Sequence, residues 1–236
     1  RELQNYLYSL RFQVSFVIVV LVFTLGSVSF ASSFKDMHDN YTKYSVAQQE
    51  AIGKQAENIS KVATARNSFI ISPRENSVIA DCKESYLPNR ITYSAYNVFD
   101  YSVRHDSNNP LLIRTDSLSW SFIVSMFLSF ITLLFAFDAI SGEKEERTLA
   151  LVFSNAVPRR TFLCSKLLSI ITVIGVMELV GIIISLIILA VSGQVQLNSS
   201  FLIETAGFIL ISLLFITTFA VFGLLSSVVT RYSNIS

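Results

Sequence analysis

The sequence predicts a mainly α-helical, polytopic membrane protein carrying a small α+β extracytoplasmic domain. Three observations predict it. The chain of 236 residues is 52% hydrophobic and only 15% charged, whereas soluble domains carry about 25% charge. The apolar residues gather into four tracts, 12–34, 117–137, 167–191 and 205–230, which together hold one charged residue, Glu178. Each tract meets the ~20 residues that an α-helix needs to cross a ~30 Å hydrocarbon core. The residues between the tracts hold all the other charges, so the chain alternates membrane-like and soluble-like pieces.

The elements follow in order. Residues 1–11 place Leu3, Tyr6, Leu7 and Leu10 on one helical face, with Arg1, Glu2, Gln4 and Asn5 elsewhere. That pattern suits a short helix lying in the cytoplasmic interface, and equally the start of the first span. Tract 12–34 is the first span, since it is too long for a signal-peptide core. The segment 35–116 has two textures. Residues 36–68 contain no proline and one glycine, Gly53, and read as a long polar helix continuing the first span. Residues 69–116 hold Pro73, Pro88 and Pro110 and a β-favouring run from Ile91 to Tyr96, and read as a strand-rich cap. The second span is 117–137, an inner loop runs over 138–162, and the third span is 163–191. A loop over 192–204 leads to the fourth span, 205–230, and residues 231–236 read as the start of a further segment.

Short loops set orientation by their Lys and Arg content. Segment 138–166 holds Lys144, Arg147, Arg159, Arg160 and Lys166, and 192–204 holds none. Arg1 and Arg11 precede the first span and Arg231 follows the fourth. The expectation is a multi-pass protein of the cell membrane with its N-terminus, its 138–162 loop and its end in the cytoplasm. The long outer segment carries ten basic and ten acidic residues and does not oppose this.

Several function classes are excluded. The formal net charge is +1 and no dense Lys/Arg run occurs, so no nucleic-acid partner is expected. Cys82 and Cys164 fall on opposite membrane sides and lack ligand spacing. His38 and His105, both outside, fit no standard zinc pattern with Cys82. The sequence holds no H-E-x-x-H, no C-x-x-C and no G-x-x-x-x-G-K-[ST] phosphate loop, so neither catalysis nor a resident cofactor is expected of this chain.

The inner loop carries the most information. It reads Phe137-Asp138-Ala139-Ile140-Ser141-Gly142-Glu143-Lys144-Glu145-Glu146-Arg147-Thr148-Leu149-Ala150-Leu151-Val152-Phe153-Ser154-Asn155-Ala156-Val157-Pro158-Arg159-Arg160. Gly142 is placed to break the second span. Glu143, Glu145 and Glu146 then crowd the first turn of a new helix, where the macrodipole favours anions. Glu143 and Arg147 stand at i, i+4, and Leu149, Val152 and Phe153 make an apolar face. Pro158 ends this helix or opens the next. The pattern describes either an amphipathic helix offered to a partner or a loop helix packed on its own spans.

This run resembles the signature of ABC transporter permeases of the type 2 export class. The likeness lies in Phe-Asp-Ala-Ile-Ser-Gly-Glu-Lys-Glu-x-x-Thr-Leu, then Ser-Asn-Ala-Val-Pro-Arg-Arg, then Lys166 opening a span. It covers 117–192 closely, and 1–34 and 205–236 by layout. Two departures stand out: Arg147 occupies the position where the family has Gly before the Thr, and four spans are seen where six are expected in a full chain. The long segment after the first span resembles the subgroup that includes the permease of nitrous-oxide-reductase maturation. The resemblance implies a permease subunit paired with a second one, a copy or a paralogue. It implies separate cytoplasmic ABC ATPase subunits that bind ATP and Mg. It implies a coupling helix in the inner loop, to which Glu143, Glu145, Thr148, Leu149 and Leu151 match and which Val152, Ser154, Pro158 and Arg159 continue. Two rivals remain at this stage: a membrane sensor with an extracytoplasmic ligand-binding domain, and a scaffold subunit of an envelope complex.

Glu178 lies near mid-depth of the third span, where an ionised carboxylate is costly. No Lys, Arg or His occurs in any tract. The carboxyl is expected to be neutral, bonded to a hydroxyl such as Thr217 or Thr218, or to face a wet cavity. It marks either a polar site on the substrate path or a hydrogen bond between helices. Asp138 and Glu204 read as span-end anchors, and Trp120 reads as part of the outer aromatic belt. Asn40 and Asn58 head glycosylation-type triplets.

Overall fold

A computed structural model describes residues 8–55, 65, 67–80, 90–93, 100–102, 118–137, 139–145, 154, 158–193, 195 and 198–229. Four helices in it are long and apolar enough to cross a membrane. In hydrocarbon every backbone N–H and C=O must be paired within its own segment, and the helix does this for each span.

The first helix, α1, runs from Leu10 to Gln55 without interruption. Its start is fixed by Ser9, whose hydroxyl accepts the Phe12 N–H at 3.2 Å. At 1.5 Å per residue its 46 residues extend about 69 Å, twice the hydrocarbon thickness. The span and the polar helix expected after it are therefore one continuous rod, at least as far as Gln55. Residues 1–7, where most of the N-terminal amphipathic face was expected, lie outside the described residues.

Within 67–102 three short strands form an antiparallel sheet in the order β1-β2-β3. They are β1 (Asn67–Ile70), β2 (Arg90–Tyr93) and β3 (Asp100–Ser102). The register sets Phe69 opposite Ile91 and Ile91 opposite Tyr101. A 3-10 turn, Glu75–Val78, follows β1. It meets the bundle directly: Val78 and Ile79 join the apolar core, and the Ser121 N–H donates to the Ile79 carbonyl at 2.9 Å.

The second span is built from α2 (Trp120–Ile123), a π-helical stretch (Val124–Leu128) and α3 (Ser129–Ala136). Ser119 caps it, its side chain accepting from the Phe122 N–H. The span ends in a turn at 137–140, and α4 (Ser141–Glu145) starts immediately. The helix ends at Ala136, within a residue of the expected end of the span at 137, and Gly142, placed to break it, lies inside α4. Helix α5 (Arg159–Ser192) is the third span and α6 (Ser199–Val229) the fourth. α5 begins four residues earlier than its expected start because Pro158 is an extended N-cap, and proline tolerates a helix start but not an interior.

α5 is the central element, packed against α1, α3 and α6. Between helices in lipid, association rests on close packing and interhelical hydrogen bonds more than on apolar burial. Both are visible. A Cβ at Gly181 of α5 would lie 2.5 Å from the Phe23 ring of α1, and one at Gly223 of α6 would lie 2.5 Å from the Ala136 Cβ of α3. Glycine is what allows each backbone to come that near. At the end of the bundle away from α4, Trp120 Nε1 donates to Ser185 Oγ at 2.7 Å, and Ser27 Oγ bonds the same hydroxyl. Trp120 is 1% exposed, packed edge-on to Phe201 and tilted against Phe208. The ring expected in an aromatic belt is thus enclosed by the bundle. Its indole N–H finds a partner inside the bundle, so the ring is drawn inward.

Candidate functional site

Two buried polar clusters merit description as sites: one at mid-depth, one where the chain passes from the second span to the third.

The mid-depth cluster contains Glu178, which is fully enclosed. The Ser212 hydroxyl of α6 donates to Glu178 Oε1, and the same hydroxyl lies 2.9 Å from the Ile209 carbonyl. Glu178 Oε2 has no hydrogen-bond partner among the described residues. The expected partners, Thr217 and Thr218, are not the ones used. Thr217 Oγ1 donates to the Leu213 carbonyl and Thr218 Oγ1 to that of Phe215, both on their own helix. The reason is register. α5 and α6 run antiparallel, so Ser212 comes level with Glu178, and Thr217 and Thr218 fall about one and a half turns further along. Sequence could not supply that register, since Ser212 and both threonines are equally plausible hydroxyls on one apolar helix.

The second cluster is built around the turn at 137–140. The first N–H groups of any helix lack partners within it. For α4 they are satisfied from a distant helix: Ser227 Oγ of α6 accepts the Ile140 N–H at 3.0 Å and the Ser141 N–H at 2.9 Å. The same hydroxyl donates to Ser141 Oγ at 3.3 Å. One donor and two acceptors exhaust what a hydroxyl offers. In return, α4 serves the end of α6. Lys144 Nζ donates to the carbonyl of Val228 and lies 3.4 Å from that of Ser227. Both carbonyls lie among the last described residues of α6.

The neighbouring residue faces the third span. Glu143 Oε1 and Lys166 Nζ form an ion pair at 2.5 Å, with side chains 22% and 7% exposed. Lys166 also lies 5.7 Å above the Phe162 ring. Arg11, near the start of α1, stands 5.5 Å from the Phe137 ring. The expected pair of Glu143 with Arg147 lies outside the described residues. So do Asp138, Thr148, Leu149, Leu151 and Val152. Glu145 closes α4; Ser154 is exposed; Pro158 and Arg159 stand at the start of α5, with Arg159 exposed. Of the residues matched to the coupling motif, the structure therefore brings Glu143 against the bundle, while Ser154 and Arg159 are exposed. Ser227 and Lys144 escaped the sequence reading. The one signal for them was a serine and a lysine at span ends, which every membrane protein has.

Among the described residues no group of His, Cys, Asp and Glu could hold a metal ion. Cys164 is a free, exposed thiol. Comparison with curated proteins and with solved structures returned no match. Comparison with protein families did: the profile of the family described as ABC-2 family transporter protein matches residues 1–236. With four membrane-length helices and a match over its whole length, the chain belongs to the ABC-2 transporter family, as a multi-pass membrane permease subunit of an ABC transporter.

Proposed function

We propose that the chain works as an exporter subunit whose inner loop receives the work of ATP hydrolysis from a separate cytoplasmic ABC ATPase. The observation that supports this most is the inner loop itself. It carries the acidic-to-apolar run Glu145–Phe153 between the second and third spans. On the α4 side, that run starts from a point fastened to the bundle. A loop that transmits force needs such a fastening at its root and an open face beyond it. ATP and Mg bind on the partner, and this chain adds no catalytic group. A second permease subunit, copy or paralogue, completes the path. The N-terminus and the inner loop face the cytoplasm, in keeping with the Lys/Arg distribution.

Thr148, Leu149, Leu151 and Val152 are proposed as the face that meets the ATPase, with Glu145 at its edge and Ser154, Pro158 and Arg159 where the loop rejoins the membrane. Glu178 is assigned to holding the third and fourth spans in register. It is enclosed, and its hydroxyl partner is on the adjacent helix.

The test is co-purification. Glu145→Lys combined with Leu149→Asp should release the ATPase while the permease still folds and inserts. Retention of the ATPase at the wild-type ratio would contradict the proposal.

A further inference from the structure

The cluster around α4 suggests more than a docking surface. Within five residues, Ser141–Glu145, it makes polar contacts to two different spans. Ser141 N–H, with Ile140 N–H, goes to Ser227 of α6, and Lys144 goes to the closing carbonyls of α6. Glu143 goes to Lys166, two turns into α5. Successive residues of a helix point about 100° apart, so Glu143 and Lys144 reach different neighbours. α3, from which α4 departs, is meanwhile held against α6 by the Gly223–Ala136 approach.

We propose that Glu143, Lys166, Lys144 and Ser227 are positioning residues that lock α4 to the inner ends of the third and fourth spans. A displacement of the inner loop then moves both ends together. The ion pair has little exposure, so water and salt screen it weakly, and the cap supplies the acceptor that the first N–H groups of a helix lack within it. Glu143 thereby leaves the docking face, although it belongs to the motif, and the contact with a partner starts after it. This inference rests on the coupling reading for the origin of the push, and on the described geometry alone for the lock.

The experiment measures the distance between the two locked ends. In the full chain with Cys82→Ser, nitroxides are placed on the native Cys164, an exposed thiol near the start of α5, and on Val229→Cys, at the exposed end of α6. Double electron–electron resonance is recorded in lipid nanodiscs with the ATPase, without nucleotide and after vanadate trapping. The lock predicts one narrow distance that shifts by less than about 2 Å, the size of ordinary interface shifts, between the two states. Glu143→Gln and Ser227→Ala should each broaden it at least twofold. Glu143→Lys with Lys166→Glu should restore the narrow distribution, and so should the conservative Lys166→Arg. ATPase recovery should stay unchanged in Glu143→Gln. A distribution as narrow in Glu143→Gln as in the parent would overturn the lock. So would loss of the ATPase in Glu143→Gln, which would make Glu143 a docking residue. If no ATPase accompanies the parent chain, the coupling reading fails, and the nucleotide-free comparison of parent and Glu143→Gln still decides the lock.

Discussion

A hydroxyl inside a membrane bundle is worth what it is bonded to, and three serines separate cleanly on that basis. Ser227 satisfies two backbone N–H groups of another helix. Ser227→Ala leaves both unpaired and should destabilise the protein by about 2–3 kcal/mol, whereas Ser227→Thr, which keeps the hydroxyl, should avoid most of that loss. Thermal or denaturant unfolding in detergent reads this directly. Ser212 serves the enclosed Glu178 carboxyl. Ser212→Ala should lower stability by about 1–2 kcal/mol, near the upper range for hydrogen bonds in bilayers. Thr218→Ala should change it by under ~0.5 kcal/mol, because Thr218 is exposed and bonded only to its own helix. Equal losses at Ser212 and Thr218 would contradict the register described. Ser185 holds Trp120 and Ser27 together, and Trp120→Phe, which removes the indole donor, should cost about 1 kcal/mol or more. The composition of the chain announced Glu178 as the one charge in a span. It did not announce Ser212, since a hydroxyl's partner is chosen by the rotation and sliding of two helices.

At the scale of elements, the end of the second span was legible to within a residue, and the start of the third was missed by four. Pro158 marks the start of α5 by its fixed φ, and Ser9 marks that of α1 by its side-chain bond to the Phe12 N–H. Both are local chemistry. The start of α4 is different. Gly142 is the local breaker, yet it lies inside α4, and the N–H groups of Ile140 and Ser141 are accepted by Ser227, 87 residues from Ile140. A cap supplied by a distant acceptor leaves no trace in the nearby sequence. The same holds for close helix contacts. Gly223 is one small residue among many, and only the structure shows it against Ala136. Gly223→Ala should overpack that contact and cost about 1–3 kcal/mol. Adding Ala136→Gly should recover most of it, and a double-mutant cycle measures the recovery. Additive losses would show that α3 and α6 do not meet there.

For the whole molecule, the four spans were legible because the bilayer imposes a length and an apolar composition on any crossing helix. Their arrangement was not, because in lipid an apolar face has no preferred neighbour by hydrophobicity alone. The polar contacts decide it. They run at three levels along the bundle, with Trp120–Ser185–Ser27 at one end, Glu178–Ser212 midway, and the Ser227, Lys144 and Glu143–Lys166 contacts at the other end. The topology predicts that Cys164 is modified by a membrane-impermeant maleimide only from the cytoplasmic side, tested in right-side-out against inverted vesicles. Engagement of the segment after α4 by an ATPase is best read from a photo-crosslinking amino acid at Leu149 in cells, with the adduct identified by mass spectrometry. The predicted result is a covalent adduct to a Walker-type ATPase, lost with Glu145→Lys. An adduct confined to lipid or to this chain itself, with the ATPase absent, would contradict the account.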